Sequence, residues 1–207
     1  MEQKIIKNNR VTVTGEIISD FQYSHQVCGE GFYMMEVSAK RLSNYPDIIP
    51  VMVSERLIDT QQSYIGQCIK VEGQFRSYNH HEEKKNRLIL FVFAREVEVV
   101  SEIPEGDKSN KILLDGYVCK QPIYRKTPLE REIADLLIAV NRSYGRSDYI
   151  PCICWGRNAR FASGFEIGTH VQIHGRIQSR EYIKRLSEVE SERRIAYEVS
   201  TSEISII

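Results

Sequence analysis

Apolar and polar residues alternate along this chain in short runs bounded by glycine and polar turns, the pattern of strands in a small β-barrel. In the first half the runs cover about residues 9–19, 31–40, 48–54, 68–78 and 87–99. In the second half they cover about 110–118, 132–142, 149–155, 170–182 and 194–204. After the third run of each half, Ser54–Gly66 and Gly156–Gly168 carry spaced apolar residues that predict a short helix plugging the barrel end.

The two sets of strands are a repeat. Asn9 to Gly15 parallels Asn110 to Gly116, Pro50 parallels Pro151, and Gly66 and Gly73 parallel Gly168 and Gly175. Matched glycines at these places predict bends or close backbone approaches where a barrel closes. The polar, Pro- and Gly-bearing stretch Ser101–Asn110 reads as a linker. The expectation is two tandem domains, 1–103 and 108–207.

The second half carries the functional signal. In the run from Tyr149 to Trp155, Ile150, Cys152 and Cys154 fall on one face, and Tyr149, Pro151, Ile153 and Trp155 on the other. In the run from His170, Val171, Ile173, Gly175 and Ile177 alternate with His174, Arg176, Gln178, Arg180 and Tyr182. A strand face that interleaves arginine with exposed rings suits a single-stranded nucleic acid, because guanidinium groups track phosphates and rings stack on unpaired bases.

Several ordered motifs carry a resemblance over about residues 110–205. Gln121–Pro128 (QPIYRKTP), Ile138–Arg142 (IAVNR) and the strand ending Trp155-Gly156-Arg157 resemble the bacterial single-stranded DNA-binding protein family. Pro122, Arg125, Asn141, Arg142, Trp155 and Arg157 stand at that family's motif positions. The resemblance implies an all-β fold of two tandem five-stranded OB-fold (Greek-key) barrels, each with a short helix between strands 3 and 4. It implies base stacking at Tyr149, Trp155 and Tyr182. Phosphate contacts or cation-π packing are expected from Arg125, Arg142, Arg146, Arg157, Arg176 and Arg180. Because family members usually assemble four OB domains, a homodimer is expected.

By the repeat, the first-half counterparts of the three rings are Ile48, Ser54 and His80. That half is therefore expected to be degenerate at the stacking positions and chiefly architectural, although Arg76, Tyr78 and His80 remain on its fourth strand. The polar stretch His80–Asn86 and the charged run Lys184–Arg194 predict hairpin tips. The family commonly carries an acidic-tipped tail, whereas this chain ends TSEISII directly after its last strand, so recruitment through such a tail is not expected.

Net charge is zero, but it is unevenly spread. Residues 1–105 hold 12 Lys or Arg against 15 Asp or Glu, and residues 106–207 hold 16 against 13. From Ile112 to Arg185 the count is 12 against 7, a local basic surface of the kind a phosphate backbone feels. Five cysteines form no paired framework, and the start MEQKIIKNNR has no apolar signal region, so a cytoplasmic, nucleoid-associated protein is expected.

Each feature has a plainer counterpart. Tyr149 and Trp155 could be half-buried packing residues. Cys152 and Cys154 with His170 and His174 lack the Cys-x-x-Cys turn of a zinc site, so no metal is expected. His80, His81, Glu82 and Glu83 have no positioned nucleophile beside them, so no cofactor and no enzyme activity are expected. The leading function is sequence-tolerant single-stranded DNA binding in replication, recombination or repair. The alternatives are an assembly module with weak nucleic-acid binding, and a single-stranded RNA-binding module.

Overall fold

A computed structural model of the chain describes residues 8–41, 45–82, 85–103, 109–185 and 191–207. The first half folds into β1 (Asn9–Ile17), β2 (Gln22–Val27), β3 (Glu30–Ala39), β4 (Asp47–Ser54), β5 (Cys68–Glu82) and β6 (Lys85–Val100). The second repeats them as β7 (Asn110–Val118), β8 (Ile123–Lys126), β9 (Glu132–Asn141), β10 (Ser147–Trp155), β11 (His170–Arg185) and β12 (Ser191–Ile206), with helix α1 (Gly156–Ala162) after β10. Of the expected linker 101–110, residues 104–108 lie outside the described residues, as do 83–84 and 186–190 from the stretches expected to form hairpin tips.

Each half closes on itself. β1 pairs antiparallel with β3 and β5, β3 with β4, and β5 with β6, while a parallel β4–β6 pair completes the ring. β7, β9, β10, β12 and β11 repeat the circuit, with the parallel pair between β10 and β12. This is the five-stranded Greek-key circuit of an OB-fold, twice over. β2 and β8 are additions the hydrophobic pattern did not indicate. All their residues are exposed, so they have no apolar alternation to read, and they pair only with β3 and β9.

The interiors follow from period-two patterning. Val11, Val13 and Ile17 point into the first barrel, as do Ile112, Leu114 and Val118 into the second, and all six are buried. Cys152 and Cys154 belong to the second core, where burial raises both thiol pKa values. The matched Gly73 and Gly175 sit where β5 and β11 shift register. A Cβ on Gly73 would lie 2.2 Å from the Phe93 carbonyl oxygen, and one on Gly175 2.3 Å from that of Ser200. Only glycine lets the paired strand come this close.

The helix expected after β4 does not form. Residues 55–67 run through turns, and Asp59 Oδ1 accepts the Gln61 N–H at 3.0 Å, a local bond that competes with a helical turn. α1 forms in the second half because Ala159 and Ala162 combine high helix propensity with a small buried face.

The barrels are joined edge to edge. β1 and β7 pair antiparallel with Val11 opposite Ile112, residues that correspond in the repeat, so the junction has an internal two-fold relation. Asn9 and Asn110, at the start of the two paired strands, tie each strand to its own barrel. Asn9 donates to the Phe75 carbonyl at 2.7 Å and accepts the Phe75 N–H at 2.9 Å; Asn110 does the same with Ile177 at 2.7 and 3.0 Å. Both asparagines are buried, so these bonds satisfy amides that water cannot reach.

Candidate nucleic-acid interface

The outer face of β10 presents Tyr149 at 42% exposure and Trp155 at 38%, with half-buried Pro151 between them. Ile153 has the same parity but is 6% exposed, flanked in register by Asp135 of β9 and Ser200 of β12. Trp155, Ile133 and Arg125 form one cross-strand row over β10, β9 and β8. Tyr182 of β11, at 36% exposure, lines a groove of about 500 Å³ with Pro151, Arg194 and Tyr197 from its own half and Pro50 and Leu88 from the other. The three expected rings are thus surface groups on one half of the molecule, with Tyr182 facing the junction.

The six arginines separate into three kinds. Arg146 and Arg157 are exposed and make no salt bridge to a described residue. Arg125 pairs with Asp135 at 2.9 Å at the surface, where exposed pairs are worth about 0–1 kcal/mol and exchange readily for a phosphate, and the exposed Arg180 reaches half-buried Glu198 at a looser 3.8 Å. Arg142 and Arg176 reach buried carboxylates between the halves. This engagement was not legible in the sequence.

Two carboxylates build that junction. Asp47, 1% exposed, accepts from Arg41 Nε at 2.7 Å within its half. From the other half it accepts from Arg176 Nη1 and from the Ser179 N–H, each at 2.7 Å. Asp148, fully buried, mirrors it with Arg142 at 3.2 Å from its own half, and with Arg76 at 3.6 Å and the Ser77 N–H at 2.7 Å from the first. Burial raises the Asp148 pKa, and this outweighs the opposing pull of the Ser77 N–H and the two guanidinium groups. The neighbouring backbone is tied in the same manner. The Tyr149 N–H donates to Ser77 Oγ at 2.7 Å and the Ile48 N–H to Ser179 Oγ at 2.9 Å, which fixes Tyr149 at the seam.

The face also contains acid. Glu198 on β12 is half-buried, accepts from Gln178 Nε2 at 3.1 Å, and has its pKa raised first by desolvation and then by the nearby Asp135 charge. No group of three or more His, Cys, Asp or Glu side chains that could hold a metal occurs among the described residues. His170 stacks on Tyr117 at 4.3 Å and meets Asp115 at 2.7 Å, away from the buried Cys152 and Cys154.

At the first-half counterparts, Ile48 is half-buried and Ser54 buried, and the His80 side chain lies outside the described residues. Rings nevertheless occupy this half's outer surface from other strands. His25 of β2 stacks on Phe32 of β3 at 5.2 Å, and Phe32 contacts Phe93 of β6 at 5.8 Å. The sequence signal for them was present in Gly31–Val37 and Ile89–Arg95, where Phe32 and Phe93 fall on the parity opposite the buried Met35, Val37 and Val92.

Residues 109–207 match the model of the single-strand binding protein family. The second half is similar to that family. Over 80 aligned residues the chain is 34% identical to single-stranded DNA-binding protein 2 of Listeria innocua, covering 35% of this chain and 50% of that one. It is 32% identical to single-stranded DNA-binding protein A of Bacillus subtilis, covering 35% and 46%. The chain therefore spans about half the length of the curated relatives it matches. In architecture, both halves together resemble the wild-type single-stranded DNA binding protein of Thermus aquaticus. That match has a TM-score of 0.76 over 96% of this chain and 92% of that one, at 18% identity. This likeness shows the tandem OB-fold arrangement.

Proposed function

We propose that this chain is a sequence-tolerant single-stranded DNA-binding protein of replication, recombination or repair, acting without catalysis. The observation that carries the reading is the pair of exposed rings, Tyr149 and Trp155, with the exposed Arg146 and Arg157 close to them in sequence, on the half that matches the single-strand binding protein family. Bases stack on the rings while Arg146, Arg157, the exchangeable Arg125 and the exposed Arg180 follow the phosphates. Tyr182 extends this surface toward the junction. Arg142 and Arg176 contribute chiefly by holding the barrels in register through Asp148 and Asp47. Domain 108–207 is the main binding unit; domain 1–103 is architectural at the three positions where its partner carries rings.

Fluorescence anisotropy with labelled oligo-dT, competed by duplex DNA and by RNA, tests the assignment. Competition by unlabelled single-stranded DNA and not by duplex supports it. Preferential competition by RNA selects the RNA-binding reading, and no binding at low salt selects the assembly module. Localisation to the cytoplasm and nucleoid follows from this ligand. A homodimer presenting four OB-folds is part of the proposal, and light scattering at micromolar concentration should give about twice the 24.0 kDa chain mass.

A further inference from the structure

We propose that the first barrel carries a second contact surface for the same single strand. It is built on His25, Phe32 and Phe93, and an arginine cluster at the junction joins it to Tyr149. The inference rests on the reading that the second barrel binds single-stranded DNA, and it gives the first half a role the repeat positions did not suggest.

The rings and cations form an unbroken line of contacts. The His25 and Phe32 planes lie 13° apart, Phe32 leans on Phe93, and the Arg76 guanidinium sits 5.9 Å from the Phe93 ring centre. Arg76 Nη2 and Arg95 Nη2 then converge on Gln74 Oε1 at 2.5 and 3.1 Å. Arg76 also reaches Asp148, the residue before Tyr149, so the line continues onto the second barrel's platform. The counterparts of Phe32 and Phe93 in the repeat are Ile133 and Ser200, so these rings are particular to the first half.

The charge at the join is unbalanced. Arg76, Arg95 and Arg142 lie close enough that Arg95 and Arg142 help depress the Arg76 pKa, after burial, the largest cause. Asp148 is the described carboxylate that pairs with Arg76 and Arg142, while Arg95 is exposed and makes no salt bridge to a described residue. The Arg76 Nε–H is buried without a hydrogen-bond partner among the described residues. A cluster with surplus cation, the exposed Arg95 foremost, and flanking rings matches a phosphate with bases on either side. A strand leaving Tyr149 would place a phosphate at this cluster and extend the Phe32–His25 stack with a base.

The test uses the full chain with oligo-dT of about 8 and about 24 nucleotides, lengths chosen to occupy one or two OB-folds. Trp155, the only tryptophan, reports the second barrel, and nucleotides bound per chain at saturation report the path. His25→Ala and Arg95→Glu change exposed side chains, and Phe93→Leu removes a ring while keeping an apolar group. Each ring replacement is expected to weaken the longer strand roughly 5- to 150-fold and to lower the nucleotides bound, with Trp155 quenching by the shorter strand unchanged. Arg95→Glu should likewise weaken the longer strand and flatten its salt dependence. If the variants bind the longer strand with parental affinity and stoichiometry while Trp155 is quenched, the inference is wrong and the second-barrel reading stands. If neither strand quenches Trp155 in the parent, yet His25→Ala and Phe93→Leu weaken binding, the second-barrel reading fails and this surface remains.

Discussion

Removing the Asp47 carboxylate should loosen the two barrels more than any surface change of similar size. Asp47→Ala strips the partner from Arg41, Arg176 and the Ser179 N–H together. Breaking a buried pair from one side costs about 3–5 kcal/mol, because the remaining charge stays unpaired. The side chains of Arg41 and Arg176 are 21% and 30% exposed, so water reaches the orphaned guanidinium groups and the lower end applies. The stranded Ser179 N–H, worth about 1–3 kcal/mol, keeps the total near 3 kcal/mol. At about 2–4 °C per kcal/mol for a chain of this size, Tm should fall by about 6–12 °C. Urea unfolding monitored by circular dichroism measures the loss, and a cycle with Arg176→Ala isolates the cross-junction part, expected at about 1–3 kcal/mol. A loss under about 1 kcal/mol, or a coupling near zero, would mean that the β1–β7 pairing and the Asp148 cluster suffice to hold the halves and that the Asp47 carboxylate is incidental.

Glu198→Gln should tighten DNA binding at neutral pH, because it removes a negative charge from the candidate face and frees Arg180. Burial raises the folded pKa of Glu198, so the stability held by its protonated form is complete below the unfolded pKa and lost as pH rises through the folded one. Protonation of Glu198 also removes its charge from the candidate face, so parental binding should strengthen as pH falls through the raised folded pKa, and the Gln variant should lose that part of the slope; identical slopes by anisotropy would exclude Glu198 as the titrating group. Gly73→Ala should destabilise by about 1–3 kcal/mol or more in urea, since its Cβ meets a paired backbone carbonyl. Gly164→Ala, whose nearest contact would be 3.8 Å away, is the control and should stay within about 0.5 kcal/mol.

What could be read from the sequence was what period two encodes. The inward residues of β1 and β7, the glycines at the register shifts, and the outward rings on β10 all follow from alternation, which one buried barrel face enforces. Two kinds of information escaped it. Exposed strands such as β2 leave no alternation, and the apolar spacing at 54–66 was overruled by the local turn at Asp59. The junction was hidden more deeply. Asp47 and Asp148 open ordinary-looking strands, and nothing in the linear pattern shows that each meets an arginine from the other half. For the same reason the linear pattern does not separate Arg142 and Arg176 from the other arginines. The first half lacks rings at the positions matching Tyr149, Trp155 and Tyr182, whereas Phe32 and Phe93 stand on its outer face at places whose counterparts carry none.

Trp155 offers the most direct test of the central claim. Its ring is 38% exposed on β10 beside Arg157, and no second tryptophan obscures its emission. Titration of the full chain with oligo-dT at low salt should quench that emission saturably. Trp155→Ala should bind roughly 5- to 150-fold more weakly, the equivalent of about 1–3 kcal/mol for one stacked base. Unchanged emission at saturating DNA, together with parental affinity in Trp155→Ala, would make Trp155 a packing residue and contradict the account.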